Sequence, residues 1–135
     1  MIRLIAVIYW VILLTLTHIP HLGPIPEIPG KDKTIHFVSY CIGTILLYFA
    51  CVSVQRRLKL ANSNLKNNRI NTKFLPAILI IVIIIIAMLD ELTQPWVNRT
   101  CSLGDWLADA CGITLGVIIS IYLLTKTQIY GKIIK

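Results

Sequence analysis

Four charge-free apolar stretches divide the chain, running from Arg3 to His18, from His36 to Gln55, from Lys73 to Asp90 and from Asp109 to Lys126. Each is close to the roughly 20 residues that a helix needs to cross a bilayer core, and none alternates with the period of two expected of a strand. The pattern predicts an all-α membrane protein, a bundle of four transmembrane helices in a single domain, with spans at about 2–19, 33–54, 74–93 and 104–125. The third and fourth stretches, Phe74 to Leu89 and Ala110 to Thr125, are short for this purpose. Completing the third takes in Asp90, Glu91 and Thr93, and completing the fourth takes in Asp109. Pro95 restricts the residue before it, so the third helix is expected to end close to Gln94.

Composition agrees with this division. Hydrophobic residues make up 56% of the chain, charged residues only 14%, and the mean hydropathy is +0.78, which is too apolar for an ordinary soluble domain. The net charge of +7 is unevenly spread. Arg3, the connector at about 55–73 and the C-terminal tail carry ten cations and no acid. The other two connectors hold all six acids with only Lys31, Lys33 and Arg99 as cations. Short loops rich in Lys and Arg stay in the cytoplasm, so both termini and the basic connector are expected inside and the acidic connectors outside. The basic charge thus reads as topology and contact with lipid headgroups. It does not indicate nucleic-acid binding, because the aromatics lie in the spans rather than among the cations.

Four local features add to the picture. No small-residue cleavage site follows the first stretch, so it is expected to remain attached as a signal anchor. Pro20, Pro24, Pro26 and Pro29 make the first outer connector a stiff, non-helical cap. Trp10 lies well inside the first span and is expected to pack against protein rather than at headgroups. Cys41, Cys51, Cys101 and Cys111 form no disulfide or metal-binding pattern.

The chemistry gathers at the outer ends of the spans, where ionisable groups at membrane depth mark a functional site by default. Asp32, His36 and Tyr40 recur every fourth residue and share one helical face. A carboxylate one turn away can fix the tautomer of His36 and leave its other ring nitrogen for a substrate, a metal or a proton. A structural alternative is equally open, with Asp32 only complementing the helix N-terminus. Asp90 and Gln94 share a face while Glu91 lies about 100° round from Asp90, so the two acids are expected to serve different partners. Arg99 can either clamp these acids or grip a phosphate or carboxylate. Ser102 and Asp105 read as a capping box. Ala108, Gly112 and Gly116 form a small-residue ridge that would bring Asp109 against a neighbouring helix. His18 and His21 read as interfacial polar residues.

Taken together, Asp32-Lys33-x-x-His36-Phe37-x-x-Tyr40, Asp90-Glu91-x-x-Gln94, Arg99 and Asp105-x-x-x-Asp109-x-x-Gly112-x-x-x-Gly116 resemble the VanZ-like family of bacterial membrane proteins. The resemblance covers spans two to four. The family pattern has His at the position of Thr93, Gly at Asn98 and Asn at Asp109. It implies a small multi-pass protein of the bacterial cytoplasmic membrane, in a family whose namesake is linked to teicoplanin resistance.

These readings lead to an expected outer-face site that binds or acts on a cell-envelope or lipid-linked molecule. Asp32, His36, Asp90 and Glu91 are its candidate catalytic groups, with His36 as general base. Tyr40, Gln94, Arg99, Asp105 and Asp109 are the candidate substrate contacts. No cofactor is evident. A divalent cation could join Asp90, Glu91 and Asp109, although their spacing is not diagnostic. The alternatives are a non-catalytic scaffold held by the same polar cluster and, less favoured, a small transporter.

Overall fold

The computed structural model describes residues 1–20, 31–61 and 74–133, and within them every regular element is helical. In lipid an apolar segment must satisfy its backbone internally, and a helix is the local way to do so. Helix α1 is Ile2–Thr17, α2 Lys31–Ala61, α3 Leu75–Thr93 and α4 Leu103–Ile133, with a 3-10 turn η1 at Gln94–Val97 between α3 and α4. As the position of Pro95 predicts, α3 stops at Thr93 and the chain tightens into η1. Asn98, in the left-handed region at φ 58°, closes the turn.

Two expectations need adjustment. Among the described residues three helices, Asp32–Gln55, Leu75–Val97 and Leu103–Thr127, are long and apolar enough to cross a membrane, whereas four are expected from the sequence. Helix α1 has 16 residues, a length of about 24 Å at 1.5 Å per residue, because it ends at His18 ahead of Pro20. Helices α2 and α4 also continue beyond their apolar stretches, so residues 55–61 of the expected basic connector are helical. The rest of that connector, and the proline-rich cap with Glu27 and His21, lie outside the described residues.

Helices α2 and α4 form the most extensive pair, α1 lies on α2, and α3 lies on α4. Each long helix buries one stripe with near-fourfold spacing. On α2 it runs through His36, Tyr40, Thr44 and Tyr48, on α3 through Leu79, Ile83, Ala87 and Glu91, and on α4 through Asp109, Ile113, Val117 and Ser120. Every stripe has its carboxylate or imidazole at one end, and the remainder is aliphatic or aromatic apart from Thr44 and Ser120. The connections alternate, so the C-terminal ends of α1 and α3 meet the N-terminal ends of α2 and α4, and all the polar ends gather together.

The outer surface has the reverse composition. Leu4, Val7, Val11, Ile78, Ile81 and Ile118 are each more than half exposed, while four carboxylates are buried. A protein with this polarity is stable where hydrocarbon surrounds it.

The small-residue ridge of α4 sets the α2–α4 distance. A Cβ built at Gly112 would run into the carbonyl oxygen of Phe37, and one at Gly116 would come within 2.7 Å of the carbonyl oxygen of Cys41. Both obstacles are backbone and cannot swing aside. Helix α1 is held by its aromatics. The Trp10 indole donates to the Gly43 carbonyl at 3.1 Å and meets the Tyr40 ring edge-on at 5.6 Å, and the Tyr9 hydroxyl donates to the Ser39 carbonyl at 2.9 Å. Trp10 therefore packs inward as its position implies.

Gly112→Ala and Gly116→Ala are each expected to destabilise the detergent-solubilised protein by about 1–3 kcal/mol, the usual range for overpacking. Gly104→Ala should be nearly neutral, because the obstacle there is the flexible end of the half-exposed Lys33 side chain. Thermal unfolding of the three variants checks this contrast.

Candidate functional site at the polar end of the bundle

The polar cluster divides into two halves around Asp90 and His36. Asp90, on α3, is 4% exposed. It accepts from the Thr17 hydroxyl at 2.8 Å and from the Tyr40 hydroxyl at 3.4 Å, and His18 Nδ1 lies 3.4 Å from its Oδ1. His18 also reaches across to α3, with Nε2 2.9 Å from the Thr93 hydroxyl. This half therefore ties α3 to α1 and α2, with which its backbone makes few direct contacts.

The second half is centred on His36, whose side chain is 4% exposed. Its Nδ1 lies 3.0 Å from Asp109 Oδ1 and 3.9 Å from Glu91 Oε1, and its Nε2 lies 4.0 Å from Asp32 Oδ1. The hydrogen-bond partner that orients the ring is thus Asp109 on α4. Asp32, expected in that role from its i, i+4 spacing, is 60% exposed and too distant for a hydrogen bond. The Gly112 contact explains the exchange. Close approach of α2 and α4 puts Asp109 beside the ring, whereas the outward end of α2 leaves Asp32 in the open. An ionised carboxylate can only accept, so with Asp109 ionised a neutral ring would carry its proton on Nδ1 and leave Nε2 as the basic nitrogen on the Asp32 side.

Glu91 is held from two directions, accepting from Gln94 Nε2 at 3.0 Å and from the Ser102 backbone N–H at 3.0 Å. Asp90 and Glu91 do serve different partners, and Gln94 bonds the acid one turn before it rather than Asp90. Ser102 Oγ accepts from the Asp105 N–H at 3.4 Å, the first half of the capping box read from the sequence. The Asp105 carboxylate is not spent on capping. It is buried, with Lys33 Nζ 3.5 Å from Oδ1, and that oxygen has no hydrogen bond.

The cations sit at the rim. Arg99 lies 3.9 Å from Asp32 and donates to the Leu16 carbonyl at 3.4 Å, so it reaches one exposed acid and none of the buried ones. Lys33 is half-exposed beside Asp105. Asp32 and Asp105 occupy the first turns of α2 and α4, where the helix dipoles favour negative charge. Among the described residues two groups of three have ligand atoms within 4.8 Å of one another, Asp32 with His36 and Asp105, and His36 with Glu91 and Asp109. The expected grouping of Asp90 with Glu91 and Asp109 is not among them, since Asp90 belongs to the other half.

Thr17, His18, Lys33, Thr93 and Ser102 join the cluster although none was a candidate from the sequence. The available signal was topological, because an alternating bundle brings the end of α1 level with the end of α3. Cys41, Cys51, Cys101 and Cys111 stand as free thiols.

Compared with family models, with curated proteins and with solved structures, the chain matches none.

Thr17→Val removes the 2.8 Å donor of a buried carboxylate and is expected to cost about 1–3 kcal/mol. Tyr40→Phe, which loses a 3.4 Å contact, should cost less. Chemical unfolding in detergent compares the two directly.

Proposed function

We propose that this chain is a VanZ-like protein of the bacterial cytoplasmic membrane that binds, at the outer end of its bundle, an anionic group on a lipid-linked envelope molecule. The observation that carries this reading is the arrangement around His36. A buried imidazole is held through one nitrogen by Asp109 and turns the other toward an open rim of Asp32, Lys33 and Arg99. In this geometry His36 Nε2 is available to accept a proton or to bind a ligand, while the rim guanidinium and ammonium supply the donors that phosphate or carboxylate needs.

Orientation follows from charge. Arg3, Arg57 and Lys126 lie toward the end of the helices remote from the cluster, so the positive-inside rule favours an outward-facing site and cytoplasmic termini. On this reading α1 serves as a fourth, short span. Two features support the family resemblance despite departures from its pattern. His18 brings an imidazole to Thr93, where the pattern has His, and Asn98 occupies the left-handed conformation that suits the pattern's Gly.

The same hydrogen bonds support a division of labour. The Asp90 half, including Tyr40, is a structural tie, and the His36 half contacts ligand.

The test uses the purified protein in detergent with a long-chain polyprenyl phosphate and with the neutral polyprenol of equal length. The phosphate is expected to raise the unfolding temperature of the parent and of Tyr40→Phe, but not of Arg99→Gln or His36→Gln, while the neutral lipid does nothing. Equal response to both lipids, or variants that unfold early beside an unresponsive parent, would make the whole cluster a scaffold.

A further inference from the structure

We infer that Asp32, His36 and Asp105 form a binding site for a divalent transition-metal cation, zinc by its donor set, with Asp109 as the carboxylate behind the imidazole. One atom from each of the three residues lies within 4.8 Å of the others. The two on α2 stand one turn apart, and Asp105 comes from the first turn of α4.

Three features of this geometry point to a metal. A histidine that ligates a metal almost always donates its other ring N–H to a carboxylate or carbonyl, which fixes the tautomer and the ring. His36 already meets that condition through the 3.0 Å contact with Asp109, and the free nitrogen is on the Asp32 side. Next, Asp105 is 5% exposed, yet its Oδ1 has no hydrogen bond. A buried carboxylate oxygen without a donor is costly, and the nearest cation, Lys33 at 3.5 Å, sits on a side chain that is 58% exposed and free to leave. Finally, Asp32 is 60% exposed and can move inward to complete the set. A donor shell at about 2.0–2.2 Å needs donor atoms about 3.0–3.5 Å apart, so closure requires shifts of under about 2 Å, and exposed Asp32 can supply those that involve its own oxygens.

The alternative set, His36 with Glu91 and Asp109, is less suited. Both Glu91 oxygens already accept hydrogen bonds, from Gln94 and Ser102, and a metal there would break the Asp109–His36 contact, although Asp109 Oδ2 is unpartnered.

One imidazole with two carboxylates suits zinc better than calcium or magnesium, which prefer oxygen alone. Three protein donors leave a position open beside Lys33 and Arg99. The anionic group of the lipid-linked ligand would occupy it. That last step rests on the proposed function, whereas the metal site does not.

The test is calorimetric titration of zinc into the chelator-treated full chain in detergent, with no lipid-linked ligand present. One equivalent is expected, with affinity about 10–100-fold weaker in Asp109→Ala, as for loss of a partner behind a ligating histidine. Asp105→Asn and His36→Gln should abolish binding, and magnesium should not compete. Unfolding temperatures of the metal-free variants establish that they are folded. Zinc-edge X-ray absorption on the parent needs no variant. One imidazole among oxygen donors supports the site, while sulfur ligation, as from exposed Cys101, overturns it. Absence of stoichiometric binding, or binding unchanged in Asp105→Asn, also overturns it. Zinc binding without a polyprenyl phosphate response removes only the lipid reading. A polyprenyl phosphate response in a chain that binds no zinc removes only the metal.

Discussion

The approach of α2 to α4 is the constraint on which the rest of this structure depends. Gly112 and Gly116 let the backbone of α4 lie against the carbonyls of Phe37 and Cys41, where any side chain would force the helices apart. Asp109 is one turn from Gly112, and His36 precedes Phe37. The same contact that packs the helices therefore presses a carboxylate to 3.0 Å from an imidazole in a buried position. In hydrocarbon no hydrophobic force drives helices together, so close packing and interhelical hydrogen bonds must do so, and here the two coincide. Ring orientation and the direction in which Nε2 points follow from that spacing.

A second consequence concerns cost. Four carboxylates are removed from water at one end of an apolar bundle, and each must find donors or cations. Asp90 and Glu91 are satisfied by hydroxyl, amide and backbone donors from neighbouring elements, and in being satisfied they fasten α1, α2, α3 and the start of α4 together. Asp105 and Asp109 are each left with one oxygen that has no hydrogen bond, although Lys33 lies 3.5 Å from that of Asp105. The fully bonded acids hold the scaffold, and the incompletely bonded ones lie beside His36, where a ligand would complete them.

Much of the fold was legible in the sequence because membrane helices are specified by composition over a long window. The apolar stretches marked α2, α3 and α4, Pro95 marked the end of α3, and the small-residue ridge marked the closest helix contact. The charge-free stretch from Arg3 to His18, with Ile19 beyond it, has nearly the length of a full span, but the chain leaves helix α1 ahead of Pro20. The site was legible in its members and less so in its pairing. The i, i+4 rule places Asp32 near His36 within one helix, but it is blind to a residue on another helix, so it missed that Asp109 lies closer. His18 reads from the sequence as an interfacial polar residue because only the alternating topology brings it to Asp90 and Thr93.

The central claim is that Asp109 fixes His36 with the proton on Nδ1 and leaves Nε2 bare toward the rim. Nitrogen-15 NMR of selectively labelled histidine in detergent tests it most directly, with His36 assigned by its absence in His36→Gln. Under conditions where the ring is neutral, the account predicts a protonated Nδ1 and an unprotonated Nε2 in the parent, with that preference lost in Asp109→Leu. A proton on Nε2 in the parent, or a tautomer that Asp109→Leu leaves unchanged, would contradict it.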